Sequence, residues 1–259
     1  MKQPTISIII TILNGEKTVR HCLDSIKKQL FTHYEVVIVD GGSTDRTLTI
    51  VNDSLIVNKI VQVLPGIGLY AGLNVGITLA TGQWLYFMGC DDELHDTHTL
   101  QKVANDLMEK SNTFDVLVGN VNYVKQKFVF RPQLGSPYWL HYKVHHQGMF
   151  YRNTLFDSLH YDEGLSISSD YELNLKLALA KTVHKHIDII ICDIGEDGIS
   201  NKQIKRSSAE IHKIHSRLFK GITRQWVVNY FKLQRTILMT RRRLNLVNLK
   251  YRISKKFKL

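Results

Sequence analysis

The sequence contains little cysteine and no long apolar run. Its three cysteines, Cys22, Cys90 and Cys192, are an odd number and lie far apart without CxxC spacing. This pattern argues against a disulfide framework and against a cysteine zinc site, and it suits a reducing cytosol. No stretch approaches about 18 uninterrupted apolar residues, so we expect no membrane-spanning helix.

The apolar opening MKQPTISIIITIL resembles a short signal peptide only superficially. Asn14-Gly15-Glu16 follows it, where a signal peptide has small residues at its cleavage site. We therefore interpret the opening as a first buried strand of the folded protein.

Acidic residues are almost absent from the last part of the chain. Residues 201–259 carry 17 Lys and Arg and one acid, Glu210, which leaves 17 bases and 22 acids in residues 1–200. At 259 residues the chain is long enough for one domain with an appendage. We predict an α/β domain over residues 1–200 and a basic amphipathic helical tail over residues 201–259.

The basic tail has three interpretations. From Ile211 onward its apolar and basic residues alternate as in a helix that lies on an anionic membrane surface. Nucleic acid is a competing partner for so much positive charge, but the tail has no recognisable binding module. The third interpretation is a helical subdomain packed on the core with a solvated basic face. The residues in question are Arg224, Trp226, Val227, Tyr230, Phe231, Lys232, Leu233, Arg235, Ile237, Leu238 and Arg241–Arg243.

Residues 6–88 alternate between strand and helix patterns. Ile6–Leu13 is β-branched and continuously apolar, which is typical of a strand covered on both faces of a parallel sheet. Four strand and helix alternations with short connections indicate a mostly parallel, doubly wound α/β sheet. Ligands bind such sheets outside the carboxyl ends of the strands. The polar loops expected at that edge are 14–16, 40–45, 66–72 and 91–93.

The patterns also predict element bounds and buried positions. The first two helices are expected over about 16–29 and 44–58, and Asp96 is expected to cap a later helix. Separate strands are expected over 115–120 and 122–130. Apolar residues expected on buried helix faces include Leu30, Leu55 and Met108.

The stretch TGQWLYFMGCDDEL, from Thr81 to Leu94, runs from a buried strand directly into two adjacent carboxylates, Asp91 and Asp92. An ionised carboxylate without a partner is strongly disfavoured away from water. A divalent cation, a ribose hydroxyl pair, or water and a helix N-terminus could each meet them. The plain alternative is that one aspartate caps a turn.

Several motifs together resemble glycosyltransferase family 2, the inverting nucleotide-sugar enzymes with the GT-A fold. They occur in the family's order over residues 4–200, and the chain is most similar to bacterial members that build surface polysaccharides such as O-antigens. The matching stretches are ISIIITILNGEKTVRHCLDSIKKQ, YEVVIVDGGSTDRT, GLNVGITLATGQWLYFMGCDDEL and SSDYEL.

The resemblance implies roles for particular residues. Asp91 matches the DxD aspartate that holds Mn²⁺ or Mg²⁺ on the diphosphate, Asp170 matches the catalytic base, and Asp40 matches the aspartate that reads uracil or ribose. His145 and His146 are candidates for acceptor or diphosphate contacts, with His146 as a possible metal ligand and an ordinary loop role as the alternative. The other positions implied to line the nucleotide and donor site are Thr11, Leu13, Asn14, Glu16, Gly42, Asn74 and Asp92.

The chain departs from the family at one position. The family element often reads Asp-Ser-Asp-Asp, whereas this chain has Gly89-Cys90-Asp91-Asp92. The first aspartate is missing, which leaves the ribose contact and the metal affinity open.

The chemistry of sugar transfer requires these residue types. A nucleotide diphosphate leaves readily only when its developing charge is neutralised, which a cation on a carboxylate does. The acceptor hydroxyl must lose its proton as it attacks, so a carboxylate on the opposite side has to act as general base. We predict inverting transfer from a UDP-linked sugar to a lipid-linked glycan acceptor at the cytoplasmic membrane face. Asp170 would otherwise be a helix-start acid favoured by the helix dipole.

Two other functions remain open from the sequence. The segment from Gly66 to Gly72, GIGLYAG, resembles a loosened dinucleotide fingerprint with Asp91 about 20 residues further on, so an NAD(P)-dependent oxidoreductase is an alternative. Against it, the spacing is GxGxxxG and the motif follows the third strand. Because Gly89 stands where the family often has an aspartate, a non-catalytic nucleotide-sugar binding protein is the other alternative.

Overall fold

The computed structural model describes residues 5–109, 113–135, 142–195 and 203–221, together with residues 227, 229, 230 and 233. The chain divides into two compact units, Met1–Ser207 and Ser208–Leu259. The boundary at residue 200 between the domain and the tail stays a prediction.

The first unit alternates strands and helices as the sequence predicts. Its strands are β1 Ile6–Ile12, β2 Tyr34–Asp40, β3 Lys59–Val63, β4 Trp84–Gly89, β5 Glu93–Leu94, β6 Val116–Tyr123, β7 Phe128–Phe130, β8 Gln133–Leu134, β9 Tyr142–Lys143, β10 Met149–Arg152 and β11 His184–Asp193. Its helices are α1 Val19–Lys27, α2 Thr47–Asp53, α3 Leu69–Leu79, α4 Thr99–Leu107 and α5 Ser169–Leu179, and a further helix, α6 Ile204–Leu218, includes the boundary between the two units. Short 3₁₀ turns lie at His146–Gly148 and Asn153–Asp157.

One large sheet organises this unit, in the order β3-β2-β1-β4-β10-β6-β11-β5, with β7 beside β6. The first four strands are parallel, as the alternating pattern predicts. Strand β10 is antiparallel to both β4 and β6, so the second half of the sheet is mixed. The α/β class is confirmed, and the carboxyl ends of β1, β2 and β4 lie side by side.

The apolar run of β1 packs against helices on both faces of the sheet. Ile8 and Ile10 belong to one buried cluster, and Ile9 belongs to the other. Successive side chains of a strand point to opposite faces of the sheet. When helices cover both faces, all of these side chains are buried, so the strand is continuously apolar. Helix α3 lies close to β1 because it has a glycine there: a Cβ on Gly76 would be 2.5 Å from Cγ2 of Ile9.

Three residues predicted on buried helix faces are exposed. Leu30, Leu55 and Met108 are 60%, 72% and 61% exposed. The helices end earlier than predicted, at Lys27, Asp53 and Leu107. Residues beyond those ends no longer lie on the apolar stripe, so these predictions were wrong.

Two further local predictions were wrong. Helix α4 begins at Thr99, with His98 at its N-cap position. Asp96 lies two residues before that position and accepts the N–H of His98 (2.8 Å). The strands expected over 115–120 and 122–130 are instead β6 and β7, joined by a turn in which Lys127 has a φ of 51°.

The described part of the second unit begins within α6. Ile214 and Phe219 are buried, as is Val227. The predicted helix from Ile211 is present as far as Leu218. Within the described residues, no helix is both long and apolar enough to cross a membrane. Most of the predicted tail residues lie outside the described residues: Arg224, Trp226, Phe231, Lys232, Arg235, Ile237, Leu238 and Arg241–Arg243.

Candidate active site

The loops after β1 and β2 are joined by backbone-to-side-chain hydrogen bonds. Asn14 donates its N–H to the Ser43 hydroxyl (2.8 Å) and accepts the Thr44 N–H at its side-chain oxygen (2.9 Å). Gly15 donates to the Thr47 hydroxyl (2.8 Å). Asn14 has a φ of 53°, a left-handed conformation that asparagine tolerates better than most residues. The two loops therefore form one fixed edge.

The other residues predicted in the first loop lie along the same edge. Thr11 is half-buried between β2 and β4, facing Val39 and Gly89. Glu16 accepts the N–H of Arg46 (3.1 Å), while Leu13 is 58% exposed. An apolar side chain exposed at this edge offers a surface for a flat ligand. Its predicted contact with the nucleotide stays a prediction.

Asp40 shapes its own loop. It is fully buried, and its carboxylate accepts the N–H groups of Gly42 (2.8 Å) and Ser43 (2.7 Å) and the Ser43 hydroxyl (2.6 Å). Gly42 has a φ of +90°, and a Cβ there would lie 2.8 Å from Cα of Pro65. These contacts are those of a turn residue and an obligatory glycine. Direct contact of either residue with a nucleotide stays a prediction.

The acidic corner after β4 contains two carboxylates in different surroundings. Asp92 is 1% exposed, and its two oxygens accept the N–H groups of Gly89 and Gly195, both at 2.9 Å. Asp91 is partly exposed beside it. Burial, followed by the charge of Asp91, raises the pKa of Asp92 to about 6. Asp92 therefore holds the corner in place, and Asp91 is the more exposed of the two carboxylates.

Two glycines pack closely around these carboxylates. A Cβ on Gly195 would lie 2.3 Å from the backbone oxygen of Asp91, and one on Gly89 would lie 2.6 Å from Oδ2 of Asp92. Real Cβ atoms do not approach this closely. An aspartate at position 89, as in the common family element, would require the corner to rearrange. The glycine at position 89 is therefore required by the close packing of this corner.

The acidic corner fits a divalent cation that takes most of its ligands from substrate. Within the described residues, no group of three or more His, Cys, Asp or Glu side chains could hold a metal ion. Mg²⁺, however, usually binds through one or two carboxylates plus substrate phosphates and water. Both oxygens of Asp92 are engaged by backbone N–H groups. Asp91 is more exposed than Asp92, and its role as the carboxylate that holds the cation stays a prediction.

Asp170, the second residue of α5, meets two side chains from other elements. The Tyr70 hydroxyl donates to Oδ1 (2.9 Å), and Nδ1 of His146 lies 3.0 Å from Oδ2. The side chains of Asp170 and His146 are 26% and 27% exposed, so both are accessible to solvent. Tyr70 is buried in the first turn of α3 and stacks on Tyr161 at 5.5 Å. A helix-start acid needs no such partners.

The contact between Asp170 and His146 shifts the pKa of both groups. Burial alone would raise the pKa of Asp170, but the hydrogen bond and charge of His146, with the Tyr70 hydroxyl, lower it. Burial alone would lower the pKa of His146, but Asp170 outweighs burial and raises it. The charge of His146 opposes the rise in the pKa of Asp92, so His146 and the acidic corner are electrostatically connected.

The 3₁₀ turn that carries His146 is fixed by buried neighbours. The hydroxyl of Tyr86 on β4 donates to the carbonyl of Gln147 (2.9 Å). A Cβ on Gly148 would lie 2.8 Å from the Gly119 carbonyl. The ring of His146 stacks on His145, with centroids 5.7 Å apart. His146 is therefore held in one place before any ligand binds.

His145 has a different environment from its neighbour. Its ring packs edge-on against Tyr123 and Phe130, at 5.7 and 6.0 Å. Burial, followed by the charge of His146, lowers the pKa of His145 to about 4. Nδ1 of His145 is buried without a hydrogen-bond partner among the described residues. A contact of His145 with the acceptor sugar or the diphosphate stays a prediction.

Asn74 on α3 is engaged by protein. Its amide donates to the Tyr161 carbonyl (3.0 Å) and to Glu163 (2.8 Å), and it accepts the Tyr161 N–H (3.0 Å). These contacts tie α3 to the segment before α5 and account for the amide without a ligand. The nucleotide contact implied by the family resemblance stays a prediction.

The structure reveals site residues that sequence reasoning missed. Tyr70 was noticed only as part of the glycine-rich turn, and Tyr86 only as an apolar strand residue. Tyr70 and Asp170 are 100 positions apart, and Tyr86 and Gln147 are 61 apart. Single-sequence patterns do not carry information at that separation. The signal available for Gly195 was its place in a polar loop directly after the last strand.

Comparison with known proteins identifies the family to which the chain belongs. The Glycosyl transferase family 2 model matches residues 7–163, more than half of the chain. The chain belongs to this family. The PGL/p-HBAD biosynthesis glycosyltransferase of Mycobacterium tuberculosis is 31% identical over 260 residues, covering 94% of this chain and all of the relative. This family 2 transferase is therefore an enzyme, and neither the oxidoreductase nor the non-catalytic alternative is supported.

Solved structures show the fold of the transferase. S. aureus TarS 1–349 in complex with UDP-GlcNAc matches with a TM-score of 0.71 and 22% identity, covering 88% of this chain and 71% of that one. The mannosyltransferase PcManGT from Pyrobaculum calidifontis, in complex with GDP-Man and Mn²⁺, matches with a TM-score of 0.66 and 16% identity, covering 90% and 70%. The GT-A fold expected from the family resemblance is confirmed.

Proposed function

We propose that this family 2 transferase moves a sugar from a UDP-linked donor to a lipid-linked glycan acceptor, with inversion, in bacterial surface polysaccharide synthesis such as that of an O-antigen. The observation that carries the proposal is the pairing of an acidic corner, Asp91 and Asp92, with a separately positioned acid, Asp170. An acid on each side of the reacting carbon suits direct displacement of a diphosphate by a hydroxyl.

On the donor side, Asp91 would hold Mn²⁺ or Mg²⁺ against the diphosphate. The cation would supply Lewis-acid stabilisation of the leaving group. The contacts of Asp92 with Gly89 and Gly195, which fix the corner, would keep Asp91 against the diphosphate. The fixed edge of the first two loops, with Leu13 exposed, would receive the nucleotide. The TarS structure contains UDP-GlcNAc, which supports a UDP-linked donor.

On the acceptor side, Asp170 supplies the basic function, in contact with Tyr70 and His146. Direct attack by the acceptor on the anomeric carbon inverts its configuration. The relative named for PGL/p-HBAD biosynthesis supports a biosynthetic role.

The lipid-linked acceptor is supported by the charge of the chain. Residues 201–259 carry 17 bases and one acid, which suits an anionic membrane surface at the cytoplasmic face. We expect the full-length protein to sediment with phosphatidylglycerol vesicles at low salt and to be released as salt rises, because surface charge is screened. Absence from the vesicle pellet at low salt would contradict the membrane location.

Calorimetric titration with UDP tests the donor side. We expect UDP to bind at least about tenfold more tightly with Mn²⁺ than with chelator, a difference of about 1.4 kcal/mol. NAD serves as the control ligand and GDP as the competing nucleotide.

The outcomes separate the parts of the proposal. If GDP but not UDP binds in a metal-dependent way, the proposed transferase activity stands, and the donor is a GDP-linked rather than a UDP-linked sugar. Binding of NAD without metal, and of neither nucleotide diphosphate, would overturn the proposal.

A further inference from the structure

We infer that a cavity between the starts of α1 and α2 binds a phosphate group, at a site separate from the one proposed for the donor diphosphate. The cavity has a volume of about 330 Å³ and is lined by Glu16, Lys17, Arg20, Arg46 and Ile50. The acids of the proposed transfer, Asp91, Asp92 and Asp170, are not among its lining residues. The inference therefore does not depend on the proposed sugar transfer.

The lining of the cavity is predominantly basic. Three of its five residues carry a positive charge, and one, Glu16, carries a negative charge. Lys17 lies in the turn before α1, Arg20 lies in the first turn of α1, and Arg46 directly precedes α2. Cations from two separate elements thus converge on one cavity. Such a lining attracts an anion.

The three cations have no carboxylate partner. In the part of the chain that the structure describes, no salt bridge joins Lys17, Arg20 or Arg46 to an acid. Asp24 follows Arg20 by four residues on α1, a spacing at which ion pairs form, yet these two residues are not paired. The positive charges of the cavity are therefore left for an anion from outside the chain.

The acids closest to the cations in sequence are engaged by backbone groups. Oε2 of Glu16 accepts the N–H of Arg46 (3.1 Å). Oδ2 of Asp45 accepts the N–H of Glu16 (3.2 Å), and Oδ1 of Asp45 accepts the N–H of Thr47 (3.0 Å). These hydrogen bonds join the starts of the two helices. The backbone positions from which the cations extend are therefore fixed relative to each other.

A phosphate group matches this lining in charge and in geometry. Guanidinium groups bind phosphate through two parallel N–H···O bonds, and an ammonium adds a compact positive charge. The volume lies at the lower end of the range for small-molecule sites, so it accommodates an organic group as well as the phosphate. Ile50, which is 8% exposed, supplies the apolar part of the lining. A soluble phosphomonoester and a phospholipid headgroup share this chemistry.

Titration of ¹⁵N-labelled full-length protein with inorganic phosphate, in chelator and at constant ionic strength, tests the site by NMR. We expect the largest amide shifts at residues 16–20 and 46–50. Arg20→Gln should weaken phosphate binding at least about tenfold, because it removes charge-assisted hydrogen bonds. The double variant Arg20→Gln, Arg46→Gln should show no saturable binding. Lys27→Gln is the matched control, since Lys27 is an exposed cation on α1 outside the cavity, and it should bind phosphate within about twofold of the wild type.

UDP binding separates this site from the donor site. The double variant should keep Mn²⁺-dependent UDP binding within about threefold, which also shows that it is folded, and Asp91→Ala should keep phosphate binding. If the double variant does not fold, Arg20→Gln alone decides. Phosphate binding that requires Mn²⁺, or that is lost in Asp91→Ala, would place the phosphate at the acidic corner and overturn the inference.

Two further probes distinguish the sources of the phosphate group. Glycerol 3-phosphate is the soluble probe, and phosphatidylcholine vesicles containing phosphatidic acid are the lipid probe. A lipid source predicts that the double variant sediments with these vesicles several-fold less than Lys27→Gln, Lys28→Gln, which loses the same charge. A soluble source predicts equal sedimentation of the two double variants and loss of glycerol 3-phosphate binding only when the arginines are replaced.

The remaining outcomes are equally distinct. If the wild type shows no saturable binding of any of the three probes, or if the arginine double variant binds all of them as the wild type does, the inference is wrong. A wild type that binds phosphate at the cavity but binds no UDP would remove the proposed function and leave this inference standing.

Discussion

Asp170→Asn should lower the rate of UDP release from a UDP-sugar about 1,000-fold while leaving UDP binding nearly unchanged. General base catalysis contributes about 100-fold to 10,000-fold, and the amide keeps the shape of the side chain without its charge. Asparagine also removes the charge that faces Nδ1 of His146 at 3.0 Å. We therefore expect the loss to appear in kcat. Single-turnover release of UDP measures it, and calorimetry measures binding.

Asp157→Asn is the matched control for this change. Asp157 is an exposed acid in the 3₁₀ turn Asn153–Asp157, so the same loss of one charge should leave kcat within about twofold. An Asp170→Asn protein that folds, binds UDP and turns over at the wild-type rate would refute a catalytic or positioning role for Asp170.

The architecture of the first half of the chain could be predicted from sequence because the signals are local. An apolar β-branched run such as Ile6–Ile12 indicates a strand covered on both faces, and polar residues directly after such strands mark one edge of the sheet. These signals placed Asn14, Asp40 and Asp91 near the same edge. Helix ends were less predictable, since Leu30 and Leu55 continue a helical spacing beyond the last helical residue.

The second half of the sheet carries weaker sequence signals. Strand β10 has only four residues and is antiparallel to both of its neighbours. An alternation of strands and helices predicts parallel strands, so it does not predict this direction. The long-range partners of the site were also beyond prediction. The Asp170 contact with Tyr70 and the Tyr86 contact with Gln147 each join residues more than 60 positions apart. Such pairs are fixed by packing of the whole unit, in which the side chains of Tyr70 and Tyr86 are 5% and 0% exposed.

The family resemblance supplied roles, and the structure shows how unequal the predicted carboxylates are. Asp40 and Asp92 are both buried, and each accepts backbone N–H groups, so they stabilise loops. Asp91 and Asp170 are partly exposed. Sequence alone could not separate these two pairs, because all four acids follow strands or begin helices. The exposed fraction of the side chain separates the two pairs. We expect the largest losses of activity or ligand binding from substitution of the partly exposed pair, Asp91 and Asp170.

Asp91→Ala should abolish the Mn²⁺-dependent part of UDP binding, leaving the weak affinity seen with chelator. Asp92 is the other carboxylate of the corner, and both of its oxygens are engaged by the N–H groups of Gly89 and Gly195. Removing Asp91 also removes a charge that raises the pKa of Asp92, so the corner itself should remain folded. Glu93→Ala, an exposed acid two residues further on, is the matched control and should keep metal-dependent binding. Titration of each variant with UDP, with Mn²⁺ and with chelator, gives the comparison. Unchanged Mn²⁺-dependent binding in Asp91→Ala would show that the cation is held elsewhere, and the acidic corner would then serve only to shape the end of β4.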